Sequence, residues 1–311
     1  MFNPLYNYEQ GKARYVAVSY VGNGSDACFS VRKSNSSYVG NCMKVRRSSD
    51  NTTLDIGFSG NDLDTTSLLA FVGAGSGFIE TWYDQSGNSR NLVQTTIANQ
   101  PSIVTSGVLN TRGSRPIIKF DGINDEMNIP SSTSMFINIH YSIGFISAVI
   151  GITNLNINNF KGMFGNATGA TGLVGFYVLY DDRSSVSRNE TVAVVSATGT
   201  AMLNSIVNVP LNDIFINNRT CLNIRLDNQN SDSLERSALY ANNNYPMLRN
   251  TLTNAPANIP ASTDFVIGTN YVSVASVKCD VEFQELILFN SEQRLKAVGF
   301  KRNQNAYFNI F

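Results

Sequence analysis

Ten short runs of alternating apolar and polar residues, each closed by a cluster of Gly, Asn, Ser or Asp, constrain this chain more than any other feature. They read RYVAVSYV (14–21), CMKVRRS (42–48), SGFIETWYD (76–84), PIIKFDG (116–122), YSIGFISAVIGI (141–152), VGFYVLYDD (174–182), TVAVVSA (191–197), CLNIRLDN (221–228), DFVIGTN (264–270) and DVEFQELILFN (280–290). Period-two patterning rich in β-branched and aromatic residues, cut by turn formers, specifies strands. Only two stretches carry helix signals. LDTTSLLAFVG has Asp64 or Thr65 as a cap and Gly73 as a stop, and NSEQRLKAVGFKRNQNAYF has Ser291 as a cap before Leu295, Val298 and Phe300. Many short strands around one core predict an all-β sandwich or jelly roll with one or two short helices.

The chain is 311 residues long, enough for a sizeable core. Residues 106–116 form a weak internal boundary, read as a long loop. The expected organisation is an N-terminal arm over 1–15, suited to anchoring, and a single sandwich domain over 16–311. Lys plus Arg and Asp plus Glu both number 23. That balance argues against nucleic acid or an anionic membrane as a partner. No run reaches the roughly 18 apolar residues of a membrane span, so no membrane insertion is expected. The first residues lack a basic region followed by an apolar one, so no secretory signal is expected either. Cys28, Cys42, Cys221 and Cys279 include no C-x-x-C pair. A Cys28–Cys42 bridge is conceivable, and buried free thiols are preferred to it.

Three segments carry a resemblance. SVRKSNSSYVGNCMKVRRSSDNTTLDIGF (Ser30 to Phe58) followed by TWYDQSGNSRNLVQ resembles the catalytic domain of fungal and bacterial α-L-arabinofuranosidase B, a concanavalin-like β-sandwich. RPIIKFDGINDEMNIP (Arg115 to Pro130) is similar to the strand that opens laminin-G-like and concanavalin-like lectin domains. DVEFQELILFNSEQRLKAVGFKRNQNAYF resembles the closing strand and helix of the same superfamily, with Glu285 at its usual acidic position. The resemblance therefore implies a concanavalin-like (jelly-roll) sandwich of two antiparallel sheets.

A retaining glycosidase needs two carboxyl groups about 5 Å apart. The resemblance places the family's nucleophile on or beside Gly175 and its acid at Asn270, where this chain has no carboxyl. An amide cannot protonate a leaving group. Catalytic residues of that type are therefore expected to be absent, unless the register through the middle differs and Asp181 or Asp182 serves instead.

The stretch TWYDQSGNSRNLVQTT supports two readings. Trp82 and Tyr83 could stack on a sugar while Asp84, Gln85 and Asn88 bond its hydroxyls. Alternatively, Trp82 packs in the core and Asp84 with Ser86 folds a turn at Gly87–Asn88, which is the preferred reading. Tyr177, Tyr180, Asp181 and Asn270 complete the candidate glycan-binding set. Arg46, Arg47, Asp50 and Asp55 are read as a salt-bridged structural corner. Asp50, Asn51, Asp55 and Asp62 form a loose acidic cluster that lacks calcium-loop spacing, so no metal or other cofactor is expected, with calcium as the less favoured alternative. The single histidine, His140, is placed in an apolar strand, as a core or turn residue rather than a catalytic base. VGAGSGF (72–78) lacks G-K-[ST] and reads as a helix stop, not a phosphate loop.

Arabinofuranosidase-like segments with a lectin-like C-terminus resemble tail, fibre and spike proteins of bacteriophages. The resemblance implies a non-enzymatic protein of the virion surface, made in the host cytoplasm. It would attach to a host-cell glycan as a homo-oligomer, a trimer being favoured over a pentamer, and dock on other capsid or tail proteins through its arm. An active arabinofuranosidase-type hydrolase of cell-surface polysaccharide is the alternative. A purely structural capsid subunit is the third.

Overall fold

The computed structural model describes residues 19–153, 160–167, 174–181, 191–198, 202–207, 219–227, 229–232, 237–242, 258, 260–261, 263–269 and 278–311. The arm over 1–15, most of the run 14–21, and Asn270 lie outside them.

The molecule is built around three long antiparallel strands, Ile143–Ile152, Arg219–Asp227 and Val281–Phe289. Ile146 lies opposite Ile224 on one side and opposite Leu288 on the other. Ser237–Ala241 extends this group beyond Arg219–Asp227, and Ala27–Ser30 with Ile118–Lys119 extends it beyond Val281–Phe289. A second run of strands faces it. Its order is Met202–Val207, Thr191–Thr198, Val174–Asp181, Phe160–Gly165, Val266–Ile267, Met127–Asn128, Leu92–Val93, Gly77–Trp82, Met43–Arg47 and Thr53–Ile56. Ser102–Thr105 pairs with both Gly77–Trp82 and Ile118–Lys119, so the two layers join as one curled sheet, of 18 strands among the described residues. Residues 106–116 are two short hairpins between strands of that sheet.

Between the layers, Phe265 holds an aromatic cluster. Its ring lies 5.4 Å from Phe136, 6.1 Å from Phe176 and 6.4 Å from Phe164, and Phe164 in turn meets Phe283 at 6.3 Å. Each ring buried in this way contributes about 1.5–3 kcal/mol. The outer face of the three-strand group is not left to solvent. Phe145, Ile287 and Phe289 pack there against Ala297 and Phe300 of the C-terminal helix. All nine residues of Val281–Phe289 are consequently buried, Glu282, Gln284 and Glu285 among them.

The expected strands within the described residues form, and so does the first helix. It spans Thr65–Val72, with the Asp64 carboxylate accepting from the Ser67 N–H at 3.0 Å and Gly73 stopping it at φ 63°. Two details differ from expectation. His140 lies in a short helix, Ile137–Tyr141, not in a strand. Gly144 explains the change: a Cβ there would stand 2.6 Å from the Ile139 Cα, so the glycine provides the flat spot on which that helical turn rests. Ser291 does not cap the last helix. That helix, Ala297–Phe308, continues a 3-10 turn over Arg294–Lys296, and the Ser291 hydroxyl accepts from the Gln293 amide instead. All four cysteines are free and buried, with burial pushing each thiol's pKa up.

Candidate functional site

Strand Gly77–Trp82 carries its tryptophan into the core. Trp82 is fully buried with its ring 5.7 Å from Phe29, so it presents no face to a ligand. Asp84 follows as a knot. One carboxylate oxygen accepts from the Cys28 N–H (2.8 Å) and the Ser86 N–H (2.9 Å), the other from the Ser86 hydroxyl (2.7 Å) and the Arg90 N–H (3.0 Å). Four donors fill the acceptor capacity of a carboxylate. Gln85 is also buried, accepting from the Ser34 N–H at 2.8 Å and donating to the Ser30 and Arg32 carbonyls at 2.9 and 3.0 Å. Asn88 is exposed, and its amide donates to the Asp26 carbonyl at 3.0 Å. The Asp84–Asn88 stretch thus staples a turn to the segment Ala27–Ser34.

On the other side of that segment stands Glu285. Arg32 grips its carboxylate with two bonds, of 3.0 and 3.2 Å, and the hydroxyls of Ser34 (2.7 Å) and Ser30 (2.9 Å) and the amide of Gln304 (3.0 Å) complete the shell. The Arg32 guanidinium lies 4.7 Å over the Tyr307 ring. Burial alone would raise the Glu285 pKa. The Arg32 charge, then hydrogen bonds from Arg32, Ser34 and Gln304, outweigh burial and hold it below the usual range.

The four corner residues divide among separate partners. Arg47 pairs with Asp50 through two bonds, of 2.9 and 2.7 Å. Arg46 instead donates to Gln100 and Asn51, both at 2.7 Å, with its guanidinium 4.7 Å over Phe78. Asp55 accepts from the Tyr83 hydroxyl at 2.7 Å. Tyr38 and Phe58, which sequence reasoning passed over, stand close by. The aromatic in the polar run SSYVGN was the available signal.

In the strand Val174–Asp181, Gly175 adopts φ 130°, and a Cβ there would meet the Asn166 side-chain oxygen at 2.6 Å and its carbonyl at 2.9 Å. No side chain fits at Gly175 as the strand stands. Tyr177 is buried beside Ala167 and Leu179. The backbone of Tyr180 and Asp181 pairs with Lys161 and Phe160, and their side chains, like all of Asn270, lie outside the described residues. His140 is fully buried. Among the described residues no group of His, Cys, Asp and Glu is arranged to hold a metal ion.

The FDGIND turn supplies one unusual acid. Asp121 accepts the N–H groups of Ile123, Asn124 and Asp125, while Asp125 accepts the Asp121 N–H at 2.9 Å. Burial, then the Asp121 charge, pushes the Asp125 pKa up to about 7. A folded-state acid pKa above the unfolded value makes the native state bind a proton that the unfolded chain releases. Stability should therefore fall as pH rises from about 4 to about 7, with a ceiling of about 4 kcal/mol. Asp125→Asn should flatten that slope. Urea midpoints measured between pH 4.5 and 8 check it, and an unchanged slope in the variant would contradict the assignment.

No family model and no curated protein matches this sequence. Solved structures do. An arabinofuranosidase complexed with arabinofuranosyl-α-1,2-xylobiose aligns with a TM-score of 0.60 at 13% identity, over 90% of this chain and 62% of that one. A GH54 α-L-arabinofuranosidase soaked with a cyclic sulfate inhibitor aligns at 0.60 and 13%, over 90% and 63%. A Trypanosoma rangeli sialidase in complex with sialic acid aligns at 0.47 and 14%, over 74% and 32%. The chain spans less than two thirds of the arabinofuranosidases' length. At this identity the likeness shows the shared fold, an all-β sandwich.

Proposed function

We propose that this protein acts on a cell-surface polysaccharide as an arabinofuranosidase-type glycoside hydrolase. The observation that carries this reading is the extent of the likeness: the arabinofuranosidase sandwich runs through 90% of the chain. Because Gly175 has no room for a side chain, Asp181, the last residue of the same strand, and Asp182, the next in sequence, are the carboxylates we assign to the chemistry. Release of arabinose from a chromogenic arabinofuranoside tests the assignment. Asp181→Asn or Asp182→Asn should lower the rate about 10²–10⁴-fold, the usual contribution of a positioned acid or base.

A second reading is favoured by Gly175 itself. A sandwich closed to a carboxylate at that position would bind a sugar without cleaving it, and the resemblance of its segments to phage spikes and fibres supports a virion-surface subunit that attaches to a host glycan. A homo-oligomer, such as a trimer docked through its N-terminal arm, would then strengthen weak single sites by multivalency. Binding on a glycan array with no sugar released by the wild-type protein would select this reading over hydrolysis.

A further inference from the structure

We propose that Tyr38, Phe58 and Tyr83, with Asn41 and Asp55, form a surface subsite for one or two sugar units of a neutral polysaccharide, separate from the strand Val174–Asp181. The proposal rests on the reading that this chain engages a polysaccharide. Three half-buried rings converge at one end of the strands Met43–Arg47, Thr53–Ile56 and Gly77–Trp82. Tyr38 meets Phe58 edge-on at 6.4 Å and 84°. Its hydroxyl donates to the Asn41 carbonyl at 2.8 Å. Gly40 permits this, since a Cβ there would stand 2.5 Å from the Tyr38 hydroxyl. The loop so folded leaves Val39 97% exposed beside the rings. Tyr83 is fixed from both ends, its N–H donating to the Cys42 carbonyl at 3.0 Å and its hydroxyl to Asp55 at 2.7 Å.

The polar groups suit hydroxyls. Asp55 uses one oxygen for Tyr83, and its second oxygen and the Asn41 side-chain amide make no hydrogen bond among the described residues. Aromatic faces beside such groups match a sugar ring, with C–H bonds on its faces and hydroxyls at its rim. Burial, then the neighbouring Cys42 and carboxylates, pushes the Tyr38 phenol up to about 12, and Tyr83 is raised by burial and then its bond to Asp55. Both keep the protons they give to Asn41 and Asp55, and their oxygens are left to accept from sugar hydroxyls. Lys44, opposite Asp55 in register, pairs with Glu80 at 3.3 Å, so Asp55 leaves one net negative charge here, which disfavours an acidic polysaccharide. Three rings are far smaller than the roughly 800 Å² per partner that a stable protein interface needs. Five strand steps separate this patch from Val174–Asp181, about 24 Å along the sheet. A chain-like ligand can span both, whereas a small substrate occupies one.

The test titrates the full chain with soluble arabinoxylan and, in parallel, measures its rate on a small chromogenic arabinofuranoside. Tyr38→Ala should weaken arabinoxylan binding tenfold or more, and Val39→Asp several-fold, with the small-substrate rate unchanged. Val39 is solvent-exposed, so its variant keeps the test valid if Tyr38→Ala misfolds. Wild-type affinity in folded Val39→Asp and Tyr38→Ala overturns the subsite while leaving the polysaccharide reading intact. A wild-type protein that neither binds arabinoxylan nor releases arabinose overturns both.

Discussion

Glu285→Gln is expected to destabilise the protein by about 3–5 kcal/mol, because it strands the Arg32 guanidinium in a dry site. Arg32 is 9% exposed at its side chain and Glu285 is fully buried. With the carboxylate gone, Arg32 keeps its ring contacts with Tyr307 and Phe308 and at most a bond to the neutral amide oxygen, but no countercharge. Arg32→Met should cost a similar amount by orphaning the carboxylate. The double variant Arg32→Met/Glu285→Gln should cost clearly less than the sum, since no uncompensated charge remains. Urea midpoints over the four proteins close the cycle, and strictly additive losses would sink the idea that the pair acts as a unit. The pH dependence has a fixed sign. Glu285 is held below its ordinary pKa, so its ionised form stabilises the fold at and above the usual glutamate range. That stabilisation is lost as pH falls below about 4.5 toward the folded-state value. The Asp125 slope runs the other way and occupies a higher window, so the two can be separated in a single titration.

The ion pair also shows what sequence alone could and could not disclose. Glu285 stands out because it interrupts an apolar strand, but its partner is 253 residues away, and no local pattern links them. The same distance hid the burial of Val281–Phe289 on both faces. Its Glu and Gln positions alternate with apolar ones, and each is covered by a distant partner: Arg112 holds Glu282, the Pro116 carbonyl takes the Gln284 amide, and Arg32 with Gln304 of the C-terminal helix encloses Glu285. Local chemistry was more legible. Asp64 and Gly73 delimit a helix because capping and positive φ are decided within a few residues. Ala27–Ser30 was missed because four buried residues have no alternation to read. The aromatic patch escaped for another reason: Tyr38, Phe58 and Tyr83 come from separate segments, brought together only when strand Met43–Arg47 pairs with both neighbours. The three segments that carried the resemblances do meet in space, Ile118–Lys119 of the second pairing with Val281–Phe289 of the third. Ser30–Ser34 is held by Gln85 on one side and by Glu285 on the other, so the shared motifs describe a structural junction.

That junction makes Asp84→Asn the sharpest test of what the TWYDQSGNSRN stretch is for. The carboxylate accepts four hydrogen bonds, from the Cys28, Ser86 and Arg90 N–H groups and the Ser86 hydroxyl. An amide has the same shape but one donor face. Whichever way it turns, its NH₂ points at backbone N–H groups that themselves have hydrogen atoms to give. At least one buried N–H then loses its acceptor and faces a like dipole, a cost of about 2–4 kcal/mol. Asn88→Ala removes an exposed amide with one firm bond, to the Asp26 carbonyl, and should cost no more than about 1 kcal/mol. Denaturant midpoints of the two variants should therefore differ widely, although the residues are four apart in one turn. If the stretch were a sugar site, the order of effects would reverse. Asp84→Asn would then fold like the wild type and lose glycan binding, and Asn88→Ala would weaken binding as well. A destabilised Asp84→Asn that still binds arabinoxylan in its folded fraction assigns the stretch to the architecture, and leaves recognition to the surfaces on either side of it.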